Sequence, residues 1–238
     1  MNDVSPVLSK NSILRALSDD TLSRLKPILE HVELPSGKIL YRADEVIQYV
    51  YFPENSMISV VAYTEEGQGS EVSVIGHEGA TGLDVILGSD RSSNENITQL
   101  GDGAYRIKTE DLKEEFKSGG EIHDLLLLFV RKLIVQISQT ALCNRLHTTE
   151  MRLSRWLLMC HDRSGSDVMR LTQEFIAVML GANRTTVTMT AIELQNAGFI
   201  SYKRGTITML DRKGLEEFTC PCYATISAAY AGDFRQPK

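Results

Sequence analysis

The stretch that most restricts this chain is residues 171–200, LTQEFIAVMLGANRTTVTMTAIELQNAGFI, which holds the start and stop signals of two short helices in thirty residues. Thr172 suits an N-cap, acidic Glu174 suits the first turn, and Ile176, Met179 and Leu180 form a helical apolar face that ends at Gly181. Gly181 fits the left-handed position after a helix, where a side chain would be strained. Asn183 suits the cap of a second helix, whose Val187, Ala191 and Leu194 recur at four and three residues as one buried stripe. Arg184, Thr185, Thr188 and Met189 are left facing outward near its N-terminus. This is the pattern of a DNA-reading helix-turn-helix, in which side chains at that end reach base edges and arginine pairs with guanine.

Residues 199–210 read as two short strands, 200–202 and 206–210, joined by Lys203, Arg204 and Gly205. A hairpin with a glycine turn and a cationic tip, placed beside a reading helix, makes a winged helix-turn-helix. The net charge of the 238 residues is −6, yet its distribution suits a nucleic-acid partner. Residues 1–144 carry 13 Lys and Arg against 22 Asp and Glu, whereas residues 145–213 carry ten against six. The basic excess sits with the hairpin and the two helices, so an acidic N-terminal part is expected to stand away from the duplex.

That N-terminal part changes period along its length. Residues 13–30 have helical spacing, with Ser18 capping the second of two short helices. From Val32 to Glu78, β-branched and aromatic residues alternate with polar ones between turn signals at Pro35, Pro53 and Gly67, which predicts short antiparallel strands in a roll. Gly79, Gly82 and Gly88 follow, and either a ligand cradle or plain turns would use their freedom; 96–100 and 104–107 read as returning strands. Residues 121–146 hold no Gly or Pro and predict one long helix with two apolar stripes. Leu127, Val130, Ile134, Ile137 and Ala141 have coiled-coil spacing, and Ile122, Leu126, Phe129 and Leu133 form the second stripe. Two stripes need two partners: the chain's own roll and the same helix of a second copy, hence a parallel homodimer. A further helix around Trp156, over 151–159, leads into the reader, and 162–167 read as a polar loop with Trp156 in the core.

The expected organisation is α+β: an N-terminal antiparallel β-roll over 12–110, a long dimerisation helix over 111–146, a C-terminal winged helix-turn-helix over 147–218 and a tail over 219–238. Hydrophobic and charged fractions of 42% and 24% are ordinary for a globular protein. No apolar run reaches the length of a bilayer span, and the polar start MNDVSPVLSK lacks a signal core, so no membrane partner and a cytoplasmic location are expected.

Together these parts resemble the Crp/Fnr family of bacterial transcription regulators over residues 13–218. The most specific part is L-T-x-E-x-[IF]-A-x-x-L-G-x-x-R-x-T-V, residues 171–187, followed by L-x-x-x-G-x-I from Leu194 to Ile200. The resemblance implies that Arg184 reads guanine and Thr172 contacts phosphate, with Asn183, Thr185, Thr188, Met189, Lys203 and Arg204 completing the DNA surface. Thr185 stands where the family often has glutamate and Met189 where it has a second basic reader, implying an operator unlike that of the cyclic-AMP receptor. Implied partners are double-stranded DNA, a second copy, RNA polymerase and an unidentified small effector.

The family's cyclic-nucleotide-binding cassette is degenerate here. Gly79, Ala80, Thr81, Gly82 and Leu83 occupy its phosphate turn, with Leu83 in place of the ribose-binding glutamate and Asp84 expected to point away on a strand. Arg91 and Ser92 match its Arg-Ser pair about two residues early. These residues, Gly79, Gly82, Leu83, Arg91 and Ser92, form the candidate effector site; cyclic AMP is disfavoured. An iron-sulfur cluster is disfavoured too, because the first 142 residues contain no cysteine. The alternatives are a redox- or metal-responsive regulator using Cys220 and Cys222, a regulator with a vestigial sensory part, and a β-roll metal-dependent enzyme starting from His77 and Glu78. Cys220-Pro-Cys222 lacks four-ligand zinc spacing, the five histidines are scattered, and no catalytic constellation stands out. No catalytic residue and no metal ligand are therefore assigned.

Overall fold

The computed structural model describes residues 9–231 and residue 234. Residues 1–8, most of the polar start, lie outside the described residues, as do 232–233 and 235–238. Two short helices, α1 (Ser12–Ala16) and α2 (Asp19–Leu25), open the chain, and the Ser18 hydroxyl caps α2 by accepting the Thr21 N–H. Seven strands follow: β1 (Glu30–Leu34), β2 (Ile39–Tyr41), β3 (Tyr49–Pro53), β4 (Met57–Tyr63), β5 (Gly69–Ile75), β6 (Glu95–Leu100) and β7 (Asp102–Lys108). They pair antiparallel in two sheets, ordered β1-β7-β3 and β2-β6-β4-β5, which enclose Ile47, Val50, Phe52, Ile58, Ala104 and Ile107. The roll expected from the alternating pattern is present.

Helix α3 (Thr109–Lys117) ends at Gly119 and Gly120, both at positive φ, and α4 (Glu121–Leu146) then runs 26 residues. The region 111–146 is thus two helices broken where only glycine is unstrained. Ile122, Leu126 and Phe129 bury one stripe of α4 against the roll. The other stripe, Leu127, Ile134, Ile137 and Ala141, faces outward, with Val130 half-buried. At mean hydropathy 1.5 this helix does have the length and composition of a bilayer span, which corrects the expectation from apolar runs. Adjacent Arg131 and Lys132 at its middle, and buried Gln136 and Thr140, show why no uninterrupted apolar run marked it.

The C-terminal part comprises α5 (Thr149–Ser164), β8 (Val168–Arg170), α6 (Gln173–Leu180), α7 (Arg184–Asn196), β9 (Ile200–Lys203), β10 (Thr206–Met209), α8 (Arg212–Phe218) and α9 (Cys222–Tyr230). Helix α5 extends past the expected 151–159 and takes in the first half of the supposed polar loop. Its Trp156 is buried, and its indole N–H donates to Glu71 Oε1 on β5 at 2.8 Å, so this side chain joins the two halves of the chain. Arg163 donates to Glu78 Oε1 at 2.7 Å and to Gln136 of α4 at 3.1 Å, all buried. Val61, Val74 and Met57 of the roll complete the apolar core beneath α5 and α6. Residues 219–231 are no free tail: α9 packs back on α4, with the Tyr230 ring 6.5 Å from Phe129.

Candidate nucleic-acid interface

The turn between α6 and α7 forms as its residues dictate. Thr172 Oγ1 accepts the Phe175 N–H at 3.2 Å, and Asn183 Oδ1 accepts the Thr186 N–H at 2.8 Å, so each helix begins on its own cap. Gly181 has φ 56°, and the Ala182 N–H reaches back to the Ala177 carbonyl at 2.9 Å, closing α6 in a left-handed turn. Val187, Thr190, Ala191 and Leu194 are buried. Arg184, Thr185 and Met189 are exposed on the opposite side, Met189 at 56%.

Two of the expected base-side residues do structural work. The Asn183 carboxamide is committed to capping, where it also accepts the Thr186 hydroxyl at 2.9 Å. Thr188 is half-buried rather than outward-facing, and its hydroxyl lies 3.1 Å from Gln173 Oε1 on α6 and 2.9 Å from the Arg184 carbonyl. Thr188 therefore fixes the angle between α6 and α7.

The wing sheet has order β8-β10-β9. Arg204 (φ 49°) and Gly205 (φ 76°) make the two-residue connection of left-handed residues that matches hairpin twist. Three bonds pin the wing: Tyr202 N–H to Gln195 Oε1 at 2.8 Å, Tyr202 hydroxyl to the Leu171 carbonyl at 3.1 Å, and Leu171 N–H to the Gly205 carbonyl at 2.8 Å. Thr172, Gln173, Glu174, Arg184, Tyr202 and Arg204 consequently line one open cleft of about 400 Å³. Burial pushes the Tyr202 phenol up, and the neighbouring Arg184 charge draws it partly back. Among the described residues the side chains of Arg184, Lys203 and Arg204 make no hydrogen bond or ion pair within the chain. An exposed cationic surface of this kind offers its donors to phosphates and base edges.

Strand β8 was missed by sequence reasoning. It places exposed Arg170 opposite Thr206 at the wing, and the alternation of exposed Val168, buried Met169 and exposed Arg170 was the available signal.

The candidate effector residues do not gather at one point. Gly82, Leu83 and Ser92 border a cavity of about 270 Å³ between the roll and α4, together with Val60, Leu133 and Ile137. Gly79 and Arg91 do not line it. Gly79 is where the turn meets α4, since a Cβ there would lie 2.0 Å from the Phe129 ring. Arg91 is exposed and donates to the Asp44 carbonyl. Asp84 stands on a 3₁₀ turn, Leu83–Ile86, rather than on a strand, and accepts the Ser93 N–H at 3.2 Å. Glu78 is held in the buried pair with Arg163, so it forms no acid-base couple with His77.

Comparison with known proteins agrees with this geometry. The Crp-like helix-turn-helix domain matches residues 151–218. The transcriptional regulator SdrP of Thermus thermophilus is 24% identical over 194 residues, covering 75% of this chain and 92% of the relative. Among solved structures, a transcriptional regulator of the Crp/Fnr family from the same organism superposes with a TM-score of 0.63 at 20% identity, over 79% of this chain and 97% of the other. FixK2 from Bradyrhizobium japonicum superposes at 0.69 with 15% identity, over 81% and 98%.

Proposed function

We propose that the chain is a DNA-binding transcription regulator of the Crp/Fnr type, a reading supported by its Crp-like helix-turn-helix domain and its likeness to a transcriptional regulator, and that it acts in the cytoplasm as a two-fold homodimer on a palindromic operator. One α7 enters the major groove of each half-site, and the bound dimer acts on RNA polymerase. The observation that carries this reading is the shared cleft of Thr172, Arg184 and Arg204, where an unpaired guanidinium at the start of a helix stands beside a cationic wing tip. Thr172 and the wing cations Lys203 and Arg204 take phosphates, and Arg184 takes a guanine edge. Support for the dimer comes from the uncovered stripe of α4, whose Leu127, Ile134 and Ile137 are 41%, 57% and 39% exposed.

The effector in this reading is a small, largely apolar molecule in the cavity under α4, not a cyclic nucleotide. Among the described residues lining the cavity Asp84 is the one ionisable group, and burying a phosphate beside a carboxylate without a cation costs several kcal/mol.

Selection of duplexes from a random pool by the full chain tests the reading. Recovered sites should be inverted repeats with half-sites about one helical turn, roughly 34 Å, apart, each bound by two chains. Asymmetric sites occupied by a single chain would reject it. Native mass spectrometry of the purified protein checks the effector, with a retained uncharged molecule expected.

A further inference from the structure

Four soft donors that lie far apart in the chain meet where α4 ends. Cys143 and His147 are one helical turn apart at the α4 C-terminus, and the His147 N–H still donates to the Cys143 carbonyl at 3.1 Å. Cys220 and Cys222 come from the bend between α8 and α9, where Pro221 holds φ at −58°. This bend is fastened to α5 by the Thr219 hydroxyl, which donates to the Met151 carbonyl at 3.2 Å. Cys143 Sγ lies 3.5 Å from Cys220 Sγ, and Cys222 Sγ lies 3.6 Å from His147 Nδ1. All four donor atoms fall within 4.8 Å of one another. Cys160, by contrast, is buried elsewhere and accepts from Gln99 at 3.3 Å.

In a tetrahedron, zinc bound to sulfur at about 2.3 Å and to imidazole nitrogen at about 2.0 Å separates two sulfurs by about 3.8 Å and a sulfur from a nitrogen by about 3.5 Å, close to the sulfur–sulfur and sulfur–nitrogen spacings here. Donors this close surround one ion and leave no room for the several irons of a cluster. We propose that Cys143, His147, Cys220 and Cys222 bind a single zinc-class divalent ion, with three thiolates and one imidazole closing a tetrahedral site. Charge supports the assignment independently. Three thiolates on a divalent ion leave one net negative charge, and Arg155, 3% exposed and with no partner for its Nε among the described residues, bears on both Cys143 and Cys222. Arg155 also bears on the buried Glu71 carboxyl, and an anionic metal centre adds counter-charge on the side of the cysteines. The three sulfurs are 2% exposed or less, so bound metal is shielded from water and acts by tying parts together. It clamps the segment after α8 to the end of α4, across the residue 147 bend that joins the long helix to the DNA reader. Binding releases protons from the thiols, and the ion stabilises the folded state in proportion to its affinity.

The full chain, purified reduced and without chelator, should carry about one zinc per chain by elemental analysis. Stripped of zinc and still reduced, it should take up one equivalent of cobalt(II) with the intense visible absorption of a tetrahedral thiolate centre. Cobalt affinity, measured by chelator competition, should fall at least about 10-fold in Cys222→Ser and in His147→Ala, the loss that even a change outside the ligand shell produces. Cys160→Ala should leave it unchanged. His147 is half-buried, so its variant tests the site even if a cysteine variant fails to fold. Folded, reduced wild-type protein that takes up no cobalt, or gives only the weak octahedral spectrum, would overturn the proposal. So would unchanged uptake in folded His147→Ala, or a Cys143–Cys220 disulfide whose reduction restores no metal binding.

Discussion

At the scale of single residues, this chain separates positions that shape the interface from positions that face the duplex. Arg184 is exposed and unpaired, so Arg184→Ala should leave folding intact, cost about 1–3 kcal/mol in operator affinity and relax preference at one base pair. Lys203 at the wing tip is expected to touch phosphate alone. Lys203→Ala should weaken operator and random DNA alike and lower the salt slope by about one, as titrations at several salt concentrations would read. Equal behaviour of the two variants would contradict these roles. Gly79 is needed for a different reason. With Phe129 where its Cβ would sit, Gly79→Ala must move α4 or the turn, and thermal unfolding should show a loss of about 1–3 kcal/mol. The caps at Thr172 and Asn183 were legible because an N-cap is a local bond to an N–H three residues on. The tie from Thr188 to Gln173 was not, since it spans fifteen residues and depends on how α6 and α7 cross.

Among the elements, α4 has the most to explain, because one of its two apolar faces has no cover among the described residues. Introducing charge at its centre should therefore spare the protomer and break the assembly. Ile134→Glu is expected to keep the wild-type circular dichroism and unfolding midpoint at low concentration, while sedimentation velocity shows monomers. Retention of the dimer would move the interface elsewhere. The two stripes of α4 were visible as periodicity, which one helix imposes on its own residues. Strand β8 and helix α9 were not: three residues of alternation are too few to mark a strand, and α9 exists to cover α4 rather than to continue any pattern of its own.

Across the whole molecule, the reader is seated on the roll by buried polar contacts whose charge state depends on pH. Burial pushes the Glu71 carboxyl up to about 7, although Ser59, Trp156, Arg155 and Arg163 all favour its charged form. A carboxyl whose folded value lies above its unfolded value stabilises the fold fully below the unfolded value, and that contribution is lost as pH rises through about 7. Urea unfolding should accordingly show stability falling by about 1 kcal/mol from pH 6 to pH 8, with the slope reduced in Glu71→Gln. The fluorescence of Trp156, the one tryptophan, reports the same contact directly. A pH slope unchanged in Glu71→Gln would place the titration elsewhere. Local bonding and periodicity are written into short segments, so the sequence alone determined the roll's strands, both helices of the reader, their caps and the outward Arg184. Only the tertiary structure decided what meets across the chain: Glu71 under Trp156, α9 against α4, and four metal-type donors at one point. Such meetings depend on the packing of residues 75 to 101 positions apart, and no local bond or period records that.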